Sequence, residues 1–192
     1  MSIKVGINGF GRIGRAVLKN ILKDPECTNI EIAGINDLTS PASLAHLLKY
    51  DSVQGIFPAE VTSNSDGILI DGKVIKVLSE REPVKLPWKD LGVDIVIEST
   101  GIFRTREQLE QHLTAGSKKV VLTVPAIDEF DYTVVLGVND KGLKAEHKIV
   151  SNASCTTNCL APMAKVLNEN FGIELGVINT IHALSLIHIS EP

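Results

Sequence analysis

The chain has 192 residues, of which 44% are hydrophobic and 22% charged, enough for one domain or for one domain and part of a second. Those proportions exclude a disordered chain, a collagen and a disulfide scaffold, because a chain of this size buries roughly 70% of its unfolded surface without staples. Lys plus Arg is 19 against 23 Asp plus Glu, a net charge of −4 with no basic block, which argues against nucleic acid or an anionic membrane surface as a partner.

The elements follow in order. Ile3, Val5 and Ile7 alternate up to Asn8-Gly9 and predict a first strand. Ile13, Val17, Ile21 and Leu22 recur at helical spacing between Gly11 and Lys23, and Asp24-Pro25 ends that helix. Ile30 to Asn36 is a second strand, closed by Asp37. Ser40-Pro41 is an N-cap with proline at the first helical position, and opens a helix toward Lys49. Asp71-Gly72 between Gly67–Ile70 and Lys73–Val77 is the type I′ hairpin signal. Asp94–Glu98 is a further strand, and Thr105 to Gln108 is a capping box for a helix ending near Ala115-Gly116. Lys119–Thr123, Thr133–Leu136 and Lys148–Ser151 are short strands. Cys155–Asn170 is a helix interrupted by Pro162 and closed by Phe171-Gly172, and Ile173–Ile181 is a last strand. The alternation predicts an α/β fold: a doubly wound, Rossmann-like domain over residues 1–151 with an antiparallel hairpin insertion, then the start of something else. No apolar run reaches the ~18 residues of a membrane span. Three cysteines and a start that leads straight into a strand, leaving no room for a targeting segment, point to free thiols in the cytoplasm.

Gly9-Phe10-Gly11-Arg12-Ile13-Gly14 is G-x-G-x-x-G, placed between a strand and a helix. Gly9 permits the tight turn, Gly11 lets the backbone approach a pyrophosphate, and Gly14 lets helix and strand pack closely. The helix start supplies free N–H groups and partial positive charge. Asp37 ends the second strand about 20 residues on, where a carboxylate accepts from both ribose hydroxyls and repels a 2′-phosphate. The expected cofactor is therefore NAD rather than NADP. Arg12 serves equally as a solvated helix charge.

Ser151 to Cys159 is a small polar run opening an apolar helix. It puts Cys155 in the first turn, where the positive helix end favours the nucleophilic thiolate. A free cysteine is as often a small apolar core residue, and the pattern leaves both readings open. Cys159, one turn deeper, is expected to face the same side but to be shielded. Two thiols without an acid or histidine pair make no zinc pattern, so no metal is expected. His182, at the end of the last predicted strand, is either a packed or solvated histidine or the base that takes the thiol proton. His46, His112, His147, His188 and Cys27 have no companions in the sequence and receive no role.

Four stretches occur together: Asn8 to Arg15, Leu47 to Ser52, Val124-Pro125-Ala126, and Ser154 to Pro162. On them, from residue 2 to Ala183, the chain closely resembles phosphorylating glyceraldehyde-3-phosphate dehydrogenases. The resemblance implies a homotetrameric, NAD-dependent glycolytic enzyme acting on D-glyceraldehyde 3-phosphate and inorganic phosphate. It implies Cys155 as nucleophile and His182 as its base. Gly9, Gly11, Arg12, Ile13, Gly14 and Asp37 become cofactor residues, joined by Arg81 and by Thr123. Ser154 and Thr156 become substrate and phosphate contacts. It places the start of an α+β catalytic domain at 152–183. Residues 184–192 match nothing in the family and resemble translated adaptor read-through. The family's phosphate-binding arginine, its nicotinamide-orienting asparagine and most tetramer contacts lie further along than this sequence runs, so the 192-residue chain is not expected to turn over by itself.

Two other classes compete. One is an NAD-binding module without turnover. The other is a cysteine hydrolase or redox thiol protein built on Cys155 and His182, which would need neither Asp37 nor the glycine turn.

Overall fold

The computed structural model describes residues 2–182; Ala183 and the 184–192 tail, with the readings made for them, lie outside the described residues. The elements are β1 (Ile3–Asn8), α1 (Arg12–Lys23), β2 (Ile30–Asn36), α2 (Pro41–Lys49), β3 (Tyr50–Asp51), β4 (Gly55–Ile56), β5 (Val61–Ser63), β6 (Gly67–Ile70), β7 (Lys73–Leu78), α3 (Trp88–Leu91), β8 (Ile95–Glu98), α4 (Arg106–Thr114), β9 (Lys119–Leu122), β10 (Tyr132–Thr133), β11 (Ile149–Ser151) and α5 (Cys155–Phe171). Nine strands form one sheet in the order β10-β11-β9-β8-β1-β2-β7-β6-β5. From β10 to β7 every pairing is parallel; β7-β6 and β6-β5 are antiparallel. β1 lies between β2 and β8, so the chain winds outward from it in both directions. Ligands of such sheets bind at the carboxyl ends of the strands flanking that switch point.

Local chemistry sets several of these elements. The Ser40 hydroxyl accepts from the Ser43 N–H at 3.3 Å, with Pro41 in the first turn of α2. Thr105 and Gln108 form the reciprocal capping box of α4. Asp71 and Gly72 both have positive φ, 48° and 78°, as a type I′ turn demands. The hairpin carries a third strand, β5, which the sequence reading missed, as it missed the short β3-β4 pair.

The core runs through the sheet. Ile7, Phe10, Leu18, Ile35, Leu48 and Ile68 pack on one side of the switch point, and Leu109, Val120, Leu122 and Ile149 under α4. Each fully buried side chain of this kind contributes ~1.5–3 kcal/mol of transfer free energy.

Four expectations need correction. The buried stripe of α1 is Gly14, Leu18 and Lys19; Ile13 is 50% and Leu22 48% exposed. The cause is the contact at Gly14, where a Cβ would collide with the Gly9 carbonyl oxygen. That contact turns the Gly14–Leu18 side of α1 to the sheet. Pro162 does not interrupt α5, which is helical from Cys155 to Phe171. Its ring φ is helical, and its missing N–H costs only the hydrogen bond of the Asn158 carbonyl. Ile173–Ile181 is not a strand: the segment has no regular structure and is exposed throughout. Its alternation suits a sheet, but no strand lies alongside it among the described residues. The strand expected at Thr133–Leu136 is β10, Tyr132–Thr133, beyond which Asn139 closes a turn by accepting the Val135 N–H at 2.7 Å.

Candidate functional site

A cavity of about 490 Å³ opens at the carboxyl ends of β1, β2 and β8. Of the residues singled out in the sequence, Gly9, Gly11, Asp37 and Arg81 line it. Gly9 has φ +87°, and a Cβ there would lie 2.6 Å from the Thr100 nitrogen. A Cβ on Gly11 would meet nothing within 4 Å, so open space stands before the start of α1. No side chain caps α1. Its first N–H groups are left for a ligand, as a dinucleotide pyrophosphate requires.

Asp37 sits at the rim with both oxygens engaged by backbone. Oδ2 accepts the Phe10 N–H at 2.8 Å and Oδ1 accepts the Thr39 N–H at 2.9 Å. Each carboxylate oxygen keeps a lone pair, so the group braces the glycine turn and still offers an acceptor to a ribose. Glu80, on the same rim, is held below the usual carboxylate range first by the Glu82 N–H and then, against burial, by the Arg81 N–H. The residues present fit a dinucleotide on these observations.

Other residues expected here stand elsewhere. Gly14 lies behind the turn as a packing residue. Arg12 lines a separate hollow of about 110 Å³ with Arg15 and Asp51. Ile13 is exposed on α1 and is not among the cavity's lining residues. Thr123 donates from its backbone and its hydroxyl to the Glu98 carbonyl, at 3.0 and 3.1 Å, which anchors β9 to β8 away from the cavity lining. Conversely, Asn8, Asn36 and Thr100 line the cavity and were not singled out. A polar residue ending each of β1 and β2, and a small polar run after β8, were the available signals.

The second cluster is at the start of α5. Ala153, buried, has φ +57°, a strained value for a residue with a Cβ. It turns the chain from β11 into the helix. The Ser154 hydroxyl accepts the Thr157 N–H at 2.9 Å as the N-cap. Asn158 Nδ2 donates to the carbonyls of Asn152 and Ser154. Cys155 follows at the first helical position, exposed. A cavity of about 380 Å³ joins Cys155, Thr156, Cys159 and Met163 of α5 to Ile181 and His182. The structure thus brings the two expected catalytic residues to one hollow. The closest polar contact of the imidazole is Nε2 to Thr156 Oγ1 at 3.4 Å; no hydrogen bond joins it to Cys155 among the described residues. Cys159 is exposed rather than shielded, because what the described residues lay against α5 buries none of its side chains. Ser154 opens instead on a neighbouring cavity of about 480 Å³ with Ser151 and Thr157.

A further cavity of about 680 Å³ between α4 and the chain leading into β11 contains none of the site residues expected from the sequence. Among the described residues no three His, Cys, Asp or Glu side chains are grouped to hold a metal ion, and no helix is long and apolar enough to cross a membrane.

The geometry gives a reactivity prediction. Iodoacetamide is expected to modify Cys155 fastest, Cys159 next and half-buried Cys27 last, because only Cys155 adjoins the positive end of α5. Equal rates for Cys155 and Cys159, mapped by mass spectrometry, would show that the helix end gives no activation.

Comparison with known proteins places two family models on the chain. Residues 3–106 match the glyceraldehyde 3-phosphate dehydrogenase NAD binding domain, and residues 154–186 match the corresponding C-terminal domain. The chain is 58% identical over 184 residues to glyceraldehyde-3-phosphate dehydrogenase 2 of Streptomyces avermitilis, covering 95% of this chain and 54% of the relative. It is 57% identical over 180 residues to the glyceraldehyde-3-phosphate dehydrogenase of Thermotoga maritima, covering 94% and 54%. The Geobacillus stearothermophilus protein of the same name is 55% identical over 184 residues, covering 95% and 54%. The chain therefore spans about half the length of the curated relatives it matches.

Proposed function

This chain belongs to the glyceraldehyde-3-phosphate dehydrogenase family, and from that premise we propose that the whole protein oxidises D-glyceraldehyde 3-phosphate with NAD and inorganic phosphate to 1,3-bisphosphoglycerate, as a cytoplasmic homotetramer. Residues 1–151 are its NAD-binding domain, and 152–183 begin its catalytic domain. The observation that carries the reading is the cavity at the sheet's switch point, with an uncapped α1 before it and Asp37 on its rim.

In this mechanism Cys155, freed of its proton by His182, forms a C–S bond to the aldehyde carbon and gives a thiohemiacetal. His182 returns that proton to the carbonyl oxygen as the C–S bond forms and takes it back as the C–H hydride leaves; the Thr156 hydroxyl, 3.4 Å from Nε2, orients the ring. NAD, when bound, would supply the hydride acceptor that the thiohemiacetal needs to become a thioester. A phosphate oxygen then attacks the acyl carbon, the C–S bond breaks, and the Cys155 thiolate is restored as the acyl phosphate leaves. Ser154 and Thr156 contact the substrate and the attacking phosphate. In the cofactor domain Gly9, Gly11 and the start of α1 receive the pyrophosphate, Asp37 the adenosine ribose and Arg81 the adenine end; Gly14 packs behind the turn and Thr123 ties β9 to β8, while Arg12 and Ile13, expected as contacts, stand in the first turn of α1 outside the cavity lining.

Asp37 offers the direct test. Asp37→Ala is expected to weaken NAD binding roughly tenfold to a hundredfold, the worth of hydrogen bonds to a charged acceptor, and to narrow the preference over NADP. Asp37→Asn keeps an oxygen for the Phe10 N–H but turns its NH2 group toward the Thr39 N–H, so it is expected to hold the glycine turn at the loss of the Thr39 contact while relaxing NADP exclusion. Calorimetric titration of both cofactors decides it: an unchanged NAD-to-NADP ratio in both variants would remove Asp37 from the ribose.

A further inference from the structure

Glu98, at the carboxyl end of β8, is fully buried, with no arginine or lysine paired to it among the described residues. Four donors meet its carboxylate instead. Oε2 accepts Asn8 Nδ2 at 2.5 Å and His112 Nε2 at 2.9 Å. Oε1 accepts the Thr100 N–H at 2.8 Å and the Thr100 hydroxyl at 2.5 Å. The indole N–H of Trp88, which can only donate, reaches His112 Nδ1 at 3.0 Å. Nδ1 is therefore an acceptor, the ring proton sits on Nε2, and a neutral imidazole donates to Glu98. Every hydrogen in this buried chain points toward one carboxylate.

None of Trp88, His112 and Glu98 lines the cofactor cavity, but the groups Glu98 holds do. The Thr100 hydroxyl, with its hydrogen on Glu98, accepts the Ile102 N–H at 3.1 Å and so folds the wall after β8. Asn8 Oδ1 accepts Asn36 Nδ2 at 2.7 Å, and Asn36 clasps the Glu80 backbone by two bonds of 2.8 Å. One carboxylate thus ties together the ends of β1, β2 and β8 and the Glu80 rim.

We propose that Glu98 is a positioning residue for the dinucleotide, and that His112, on the far side of the wall, sets cofactor affinity through it. The proposal rests on the assignment of this cavity to NAD. An amide replaces the carboxylate poorly: in Glu98→Gln, one orientation turns its NH2 group toward the donors of Asn8 and His112, and the other turns it toward the Thr100 N–H and forces the Thr100 hydroxyl to accept. His112→Phe removes one donor and strands the Trp88 N–H. His112→Gln restores one donor for Glu98 and one acceptor for Trp88.

The test is calorimetric NAD titration of the 192-residue chain, with the unfolding midpoint of each variant followed by the fluorescence of Trp88, its only tryptophan. NAD affinity is expected to fall on the order of tenfold in His112→Phe and in Glu98→Gln, and to return most of the way in His112→Gln. Thr100→Val, which leaves Trp88, His112 and Glu98 in place but removes one of the four donors to Glu98 and the acceptor of the Ile102 N–H, is expected to lose affinity where Thr100→Ser does not, and it carries the test of Glu98 if His112→Phe fails to fold. Unchanged affinity in folded His112→Phe and Thr100→Val, beside normal binding by the unsubstituted chain, overturns this proposal alone. Equal loss in His112→Phe and His112→Gln, in step with their midpoints, marks a merely structural network and also overturns it. No saturable binding by the unsubstituted chain overturns the cavity's assignment and the proposal with it.

Discussion

Cys155→Ser is expected to lower turnover roughly a thousandfold or more in a protein that continues residues 2–182 with a complete C-terminal domain of the family. A hydroxyl at the start of α5 is not ionised near neutral pH, and one helix end is worth only ~0.3–2 kcal/mol to an anion there. The substitution also replaces a thioester by an ordinary ester, a poorer acyl donor to phosphate. His182→Asn is expected to cost less, about a hundredfold to ten-thousandfold, the usual contribution of a positioned base. Neither residue lines the dinucleotide cavity, so NAD binding is expected to be unchanged in both variants. Absorbance of NADH during steady-state and single-turnover reactions reads the first effect, and calorimetry reads the second. A serine variant retaining a tenth of the parent rate would remove Cys155 from the bond-forming step.

The features legible in the sequence are those decided by a few adjacent residues. The Asp71-Gly72 turn, the caps of α2 and α4 and the glycine turn before α1 each follow from one local chemical requirement. What escaped depends on partners distant in the chain. The rotation of α1 is set by Gly14 meeting the Gly9 carbonyl, which apolar spacing does not encode. His112 has no companion within its own stretch; its partners come from α3 and β8, and only the folded sheet assembles Trp88, His112 and Glu98. The 173–181 segment alternates like a strand, but a strand exists only when a neighbour accepts its hydrogen bonds. The cofactor motif was legible as a motif, while Asn8, Asn36 and Thr100 entered the cavity through topology.

The 192-residue chain alone is expected to bind NAD and to show no measurable turnover. α5 has no buried residue, and Met163, Val166, Leu167 and Phe171 are between 52% and 83% exposed. The segment that carries His182 is as bare, with Leu175, Val177 and Ile181 between 89% and 94% exposed. An apolar surface of this extent on an unpartnered helix favours self-association or fraying. His182 is held beside Cys155 by a strand-like segment without a sheet, tied at its start by the Ile173 N–H on Asn168 and at its end by one 3.4 Å contact. Misplacement of a reacting group by about 1 Å costs on the order of a hundredfold, and the absence of a fixed base and of a covered helix compounds it. The dinucleotide cavity depends on none of this, because its walls are the ends of β1, β2 and β8, braced by their own buried hydrogen bonds. The assay is NADH formation from NAD, glyceraldehyde 3-phosphate and phosphate, run beside NAD calorimetry and sedimentation on the same sample, and repeated with residues 2–182 continued by a complete family C-terminal domain. Turnover by the 192-residue chain at a rate near that of the extended protein would show that the exposed face of α5 is not what keeps Cys155 and His182 from acting together.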